Sequence, residues 1–369
     1  MFAKQRPIAL GLLAAGLLAG WAAGAQEKPR TDFGERVEVN EVLLDALVTD
    51  RQGKVIVGLG KDDFVVREDG KPVELTGVTF YSSRRFLDSV AATAKRGLDV
   101  DRVPQDRYFL LFFEDQRAAA LEAPRLISQQ IEAGRRAREW VQTALEPNDW
   151  VAVVGYDNKL KVYQDWTHNR RALSEALDDA IRAKDADGNW PSRLPADGGP
   201  SLLANLPKGD ALRDKTANVY DGLRLLAEAA GKTVGRKNLV LFGTGFGRIN
   251  SFGQYVPDER YYPEMQHALN DNNVAVYTVD LTPVGTTHTM SDAMNQLASD
   301  TGGRYFFDVV NFKMPLGRVA EENGGYYLLS YRSEKKGAGK AGFQKVEVKT
   351  TNGDFKVKAR QGYTYGGSS

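Results

Sequence analysis

The chain has 369 residues, 42% hydrophobic and 26% charged, which is the make-up of a globular protein and excludes a disordered chain, a collagen and a coiled-coil rod. Lys and Arg number 49 against 48 Asp and Glu, so the whole chain carries no electrostatic footprint for nucleic acid. Zero Cys excludes disulfides, thiol catalysis, iron–sulfur clusters and thiolate zinc sites, and only His168, His267 and His288 are available for histidine chemistry.

The first 25 residues read as a secretory signal. Lys4 and Arg6 give a positive start, LGLLAAGLLAGWAA gives the apolar stretch, and Ala23-Gly24-Ala25 gives the small residues of a cleavage site. The apolar run is short and broken by glycine, unlike a retained membrane span. Cleavage after Ala25 predicts a mature protein that begins at Gln26, lacks a membrane span, and is periplasmic or secreted. Loss of Lys4 and Arg6 leaves 47 basic against 48 acidic residues, a mature charge of −1.

Residues 37–83 are strand-like throughout: 37–49, 64–67 and 73–80, with Asp69-Gly70 as a hairpin signal between the last two. Residues 84–106 are charged and small and end in Pro104-Gln105-Asp106, which predicts a linker. From 107 the period changes. Strands are predicted at 107–114, 150–155, 159–163, 238–243, 274–279 and 304–307, alternating with helices at about 122–145, 169–184, 216–231, 260–272 and 290–300. In the first helix Ile127, Ile131, Gly134, Ala137, Val141 and Leu145 share a face. Near-continuous apolar strands between amphipathic helices predict a mostly parallel, doubly wound sheet. Only Tyr156-Asp157-Asn158 separates strand 159–163 from its predecessor, so that strand must run antiparallel at an edge. Residues 185–214, rich in Gly, Pro and Asp, predict a long surface excursion. The chain returns to β at 326–332, 343–350 and 355–360, with Asn352-Gly353 as another hairpin signal. Roughly four strands before the α/β region and three after it make seven, the number of an immunoglobulin-like β-sandwich built from both chain ends, with the α/β domain (107–322) inserted and 323–369 completing the sandwich.

At this point the sequence resembles a known family. The α/β region, from FLLFFED through TANVYDGLRLLAEAA, NLVLFGTGFG, NVAVYTVD and LASDTGGRYF, is similar in order and spacing to a von Willebrand factor A domain. The flanks VTDRQGKVIVGLGKDDFVVREDGKPVEL and YYLLSYRS…FQKVEVKT…KVKARQGYTY resemble those of the bacterial von Willebrand factor A-related proteins of acidobacterial type. The resemblance spans about residues 37–365. It implies a metal-ion-dependent adhesion site of D-x-S-x-S after the first strand, a Thr before the third helix and an Asp after the fourth strand, whose oxygens suit a hard cation. Here the first motif is Asp115-Gln116-Arg117-Ala118-Ala119. Only Asp115 matches; Arg117 and Ala119 stand where the serines belong. The third-helix position falls on Thr216 or Ala217, and Thr244 replaces the fourth-strand Asp. A degenerate site follows, with no metal and no cofactor. The always-charged guanidinium of Arg117 is expected to take the place of the cation, pair with Asp115 and offer donors to a partner's acid.

Gly243-x-Gly245-x-Gly247 lacks the spacing of a phosphate loop, and no Ser-His-Asp order emerges. Asp178-Asp179 are helix neighbours that do not face each other. These observations predict an exported, non-catalytic protein-binding module of the bacterial envelope, contacting a protein partner through Asp115, Arg117, Thr216 and Thr244. Two alternatives differ in chemistry: a Mg- or Ca-dependent adhesin that recruits Asp280 or Glu114 as a further ligand, and a carboxylate-dependent hydrolase built around the 185–214 loop.

Overall fold

In a computed structural model, the residues described are 41–83, 106–115, 123–182, 184, 199–286, 288–333 and 341–366. All lie in one compact unit, Val39–Ser369. The signal segment 1–25, residues 84–105 of the expected linker, Arg117 with its neighbours, and 185–198 of the excursion lie outside the described residues. The first strands are β1 (Glu41–Thr49), β2 (Phe64–Glu68), β3 (Lys71–Val73) and β4 (Leu75–Ser82). Asp69 and Gly70 sit at φ 47 and 79 between β2 and β3, and Glu68 pairs with Lys71. That is the geometry for which Asp-Gly is suited.

The chain then alternates: β5 (Arg107–Glu114), α1 (Ala123–Ala144), β6 (Asp149–Tyr156), β7 (Leu160–Thr167), α2 (Arg170–Ile181), α3 (Asp210–Lys215), α4 (Val219–Ala230), β8 (Lys237–Gly243), a small hairpin of β9 (Arg248–Ile249) and β10 (Tyr255–Val256), α5 (Tyr262–Asp271), β11 (Val274–Asp280), α6 (Ser291–Asp300), β12 (Arg304–Phe306) and α7 (Lys313–Glu322). Six of these strands form one sheet in the order β12-β11-β8-β5-β6-β7. All pairs are parallel except β6 with β7, as the short connection requires.

Alternate residues of β5 face opposite layers. Leu110 and Phe112 pack with α4, α5 and α6, whereas Phe109, Leu111 and Phe113 pack with α1, α2 and α7. Burial on both faces explains why RYFLLFFE has no polar alternation. In α1 the buried stripe is Leu126, Ala133, Ala137, Trp140 and Val141, whereas Ile131, expected inside, is 39% exposed. The expected helix 216–231 is α4, which begins later, after Asn218; α3 lies almost wholly in the expected excursion 185–214 and ends with Thr216 as its C-cap. The Asn218 side chain accepts from Asp221 N and so starts the second helix.

The last strands are β13 (Gly325–Arg332), β14 (Gly342–Thr350), β15 (Lys356–Ala359) and β16 (Gly362–Tyr365). Among the described residues the two chain ends therefore supply eight strands, not seven, because 362–365 adds one. They form two four-stranded sheets, β15-β1-β13-β4 and β16-β14-β2-β3, each mixing strands from before and after the α/β region. Val42, Leu44, Phe64, Val66, Tyr327, Leu329 and Val346 from both sheets share one core. Asn352-Gly353 does not make a hairpin between paired strands. Neither residue adopts positive φ, and β14 and β15 go to different sheets. No helix among the described residues is long and apolar enough to cross a membrane.

Candidate functional site

The connections decide where a site can form. From β5 the chain crosses to β6 on one side, while β8 enters on the other side of β5. β5 and β8 are therefore neighbours at the point where the strand order reverses, the place where open α/β sheets generally bind their ligands. Glu114 and Asp115 leave β5 there, and Thr244 leaves β8. Thr244 N donates to Glu114 Oε2 at 3.4 Å, which links the two strand ends. The link needs Gly243: a Cβ at that position would lie 2.3 Å from Glu114 Oε2. Asp115 N donates to Tyr156 O at 2.8 Å, so pairing with β6 runs one residue past the strand. Asp115 and Thr244 are both partly exposed.

Thr216 is placed differently. It is fully buried; its Oγ1 donates to Leu212 O at 2.8 Å and accepts from Leu160 N at 3.1 Å. Its carbonyl accepts from Tyr156 Oη at 3.2 Å. Burial, reinforced by Glu114, Asp157 and Asp221, pushes the Tyr156 hydroxyl far above its ordinary value, so it stays a donor. The Thr216 side chain thus ties the start of β7 to α3 and does not reach the surface. Asp115 and Thr244 are brought to neighbouring strand ends, Thr216 stands behind them, and Arg117 is outside the described residues.

The donors fit a divalent cation poorly. The Thr216 hydroxyl is already spent within the protein, Thr244 stands in place of a carboxylate, and no group of three or more Asp, Glu or His among the described residues could hold a metal.

A second cluster lies along the same rim, at the ends of β11 and β12. Asp280 is 4% exposed and accepts from Thr282 N at 2.8 Å, from His288 Nε2 at 2.8 Å and from Tyr305 Oη at 2.7 Å. Burial alone would raise its carboxyl, but the bonds from His288, Tyr305 and Thr282 outweigh that and hold it below the usual carboxylate range. A cleft of about 320 Å³ opens beside it, with Phe307 and Asp308 at the rim. Ser291 Oγ donates to the backbone carbonyl of His288 and not to its ring, so the set is not a Ser-His-Asp relay. Sequence reasoning reached Asp280 but not His288 or Tyr305. The signal available was a carboxylate closing an apolar strand; RYFF reads as core, and only folding turns the Tyr305 hydroxyl to Asp280.

No family model and no curated protein matches the chain. Solved structures do. BatB from Bacteroides thetaiotaomicron is 12% identical, covering 58% of this chain and 99% of that one, with a TM-score of 0.35. Proximal thread matrix protein 1 from the mussel byssus, with a zinc-occupied MIDAS motif, is 11% identical over 58% of this chain and 47% of that one, also at 0.35. The PilB minor pilin from Streptococcus sanguinis is 10% identical over 63% and 67%, at 0.35. At such TM-scores these likenesses carry no argument about fold or function.

Proposed function

We propose that this chain is an exported, non-catalytic protein-binding module of the bacterial envelope. In this reading a von Willebrand factor A-like domain is carried as an insertion in an immunoglobulin-like sandwich. The partner meets the face formed by the carboxyl ends of β5, β8 and β11. The observation that carries the proposal is the strand-order reversal between β5 and β8, where Asp115 and Thr244 leave adjacent strand ends joined by the Glu114 link. Arg117, two residues after Asp115 in the sequence, is assigned the role that a cation plays in related domains. Thr216 holds the loops from behind.

A photo-crosslinking residue placed at Thr244 tests this in intact cells. The control position is Val234, 92% exposed and just before the amino end of β8. The expected result is a discrete adduct from position 244, none from 234, and no change with a chelator. Equal labelling from both positions would remove the face. An adduct that needs Mg²⁺, Mn²⁺ or Ca²⁺, with matching heat in calorimetric titration, would favour the metal-dependent adhesin. N-terminal sequencing of the envelope fraction is expected to read from Gln26; retained Met1 would remove the export assignment.

A further inference from the structure

Asn-Gly occurs twice in the sequence, at Asn323-Gly324 and at Asn352-Gly353. This dipeptide carries its own chemistry. The backbone nitrogen of the glycine can attack the side-chain carbon Cγ of the asparagine, and the missing Cβ leaves that approach open. The fold treats the two copies oppositely at every atom the reaction uses.

Asn323 is the C-cap of α7 and is 5% exposed. Its Nδ2, the leaving group, donates to Tyr277 Oη at 2.9 Å and to Val319 O at 2.8 Å. The nitrogen that would attack, Gly324 N, donates to Glu321 O at 3.0 Å. No donor reaches the buried Oδ1 of Asn323, so nothing polarises its side-chain carbonyl. Attacker and leaving group are both held, in a place shielded from water.

Asn352 lies in the connection between β14 and β15, and Asn352, Gly353 and Asp354 are all exposed. Among the described residues neither Asn352 Nδ2 nor Gly353 N has a partner. Asp354 N donates to Asn352 Oδ1 at 3.0 Å. That bond closes a ring containing both Asn352 Cγ and Gly353 N, so the side chain is folded over the peptide whose nitrogen attacks it. The same donor polarises the carbonyl and meets the negative oxygen that forms on attack. The fold itself does not require glycine at 353. A Cβ there would meet nothing within 4 Å, and the residue does not adopt positive φ.

We propose that Asn352 is a site of spontaneous modification, at which water exchanges the side-chain amide for a carboxylate, while Asn323 keeps its amide. Gly353 N gives its proton to solvent base and bonds to Asn352 Cγ. The Cγ–Nδ2 bond breaks and ammonia leaves, which yields a cyclic imide. Water then opens one of the two bonds from the imide nitrogen to a carbonyl carbon. One opening gives an ordinary aspartate at position 352. The other gives an isoaspartate, whose main chain runs through the former side chain and is one carbon longer. Water is the only co-reactant. Either product sets a new carboxylate close to Asp354, which pairs with Arg51 of the β1–β2 connection. The site lies on the two-sheet body and is independent of the contact face at the ends of β5 and β8.

The test ages the full mature chain in H₂¹⁸O, at neutral and at mildly alkaline pH, both native and in urea, and maps its peptides by mass. In the native protein the peptide holding position 352 is expected to take up ¹⁸O with loss of ammonia. Uptake should be faster at the higher pH, because the attacking nitrogen must lose its proton. The peptide holding Asn323 should stay unchanged in the native protein, and both peptides should convert in urea. Gly353→Ala should slow conversion at 352 by about tenfold or more, and the open space at that position lets the variant fold. The idea is overturned if position 352 converts in urea but not in the native protein. It is equally overturned if Asn323 converts as fast in the native protein, or if Gly353→Ala converts at the parent rate.

Discussion

Asp165 is fully buried near the end of β7, and four donors converge on it: Ser201 Oγ at 2.6 Å, Leu202 N at 2.8 Å, Leu203 N at 3.2 Å and Trp166 N at 2.8 Å. One carboxylate thus fastens the returning end of the long excursion to the sheet edge. Asp165→Ala would strand four donors, two of them in fully buried bonds, and is expected to cost about 3 kcal/mol or more in urea unfolding; Asp165→Asn, which keeps an acceptor, should cost about half. The same residue explains a shortfall in reading the sequence. Gln164-Asp165-Trp166-Thr167 does not look like strand, because Asp is disfavoured in sheets. The strand continues there because a loop remote in sequence supplies the donors. Lys237 gives a second test at this scale. It is 2% exposed at the start of β8, and its Nζ donates to Thr233 O at 3.0 Å. Burial, helped by Arg360 and opposed by Asp45, lowers its ammonium from 10.5 to about 8. Between those values the unfolded chain binds more protons than the native one, so stability should rise with pH from about 8 to 10. The contribution of this lysine is at most about 3 kcal/mol. Above that range the trend should reverse, because buried tyrosines such as Tyr262 keep their protons only when folded. Lys237→Met is expected to flatten the rise, leaving the part due to Lys358, which burial also lowers to about 8.

Element boundaries were legible where a local rule decides them and not where packing does. The antiparallel β7 follows from a three-residue connection, and the β2–β3 turn follows from Asp69-Gly70. The exposed face of α1 does not follow from hydrophobicity alone. Ile131 is outside because the helix is rolled to bring Gly134 against α2, where a Cβ would lie 2.2 Å from Ile181 Cγ1. The later start of α4 was hidden because Thr216 is as plausible a cap residue as Asn218, and only the Asn218 side chain accepts from the Asp221 backbone. Gly243 links this scale to the joined ends of β5 and β8. Gly243→Ala would drive a methyl into Glu114, whose flexible end can yield, so the stability cost should stay near 1–3 kcal/mol. Crosslinking from position 244 should fall by much more than that modest loss implies, since the Glu114–Thr244 link is broken. An unchanged adduct would show that the link does not shape the contact face.

At the scale of the whole molecule, a buried ionic cluster joins the α/β layers to the two-sheet body. Glu322 on α7 is fully buried, pairs with Arg304 of β12, and accepts from Lys358 Nζ of β15 at 2.6 Å. Nearby, Gly302 at φ 75 brings the α6–β12 corner so close to β15 that a Cβ would meet the Ala359 backbone at 2.9 Å. Glu322→Ala would leave two cations facing each other in a low-dielectric site and should cost about 3–5 kcal/mol. Tryptophans 140, 150 and 166 all lie in the α/β region. In that variant their fluorescence and the far-ultraviolet signal of the sheets are therefore expected to unfold at different urea concentrations, while in the parent they coincide. None of these three charges stands out in the sequence, because each belongs to a different element and only the fold makes them neighbours. The pairing of β1 has a further consequence, which concerns time. Ala46 is bonded to Tyr327 on one side and Ala359 on the other, so both neighbours of this early strand are made near the end of synthesis. At the usual rates of translation, the ribosome needs about 15–60 s to travel that far. Throughout this delay Leu-Leu-Asp-Ala-Leu-Val has two open edges, each able to capture another chain. Such a protein finishes folding only after it is complete, which suits a polypeptide kept extended by a holding chaperone and penalises one that collapses as it emerges.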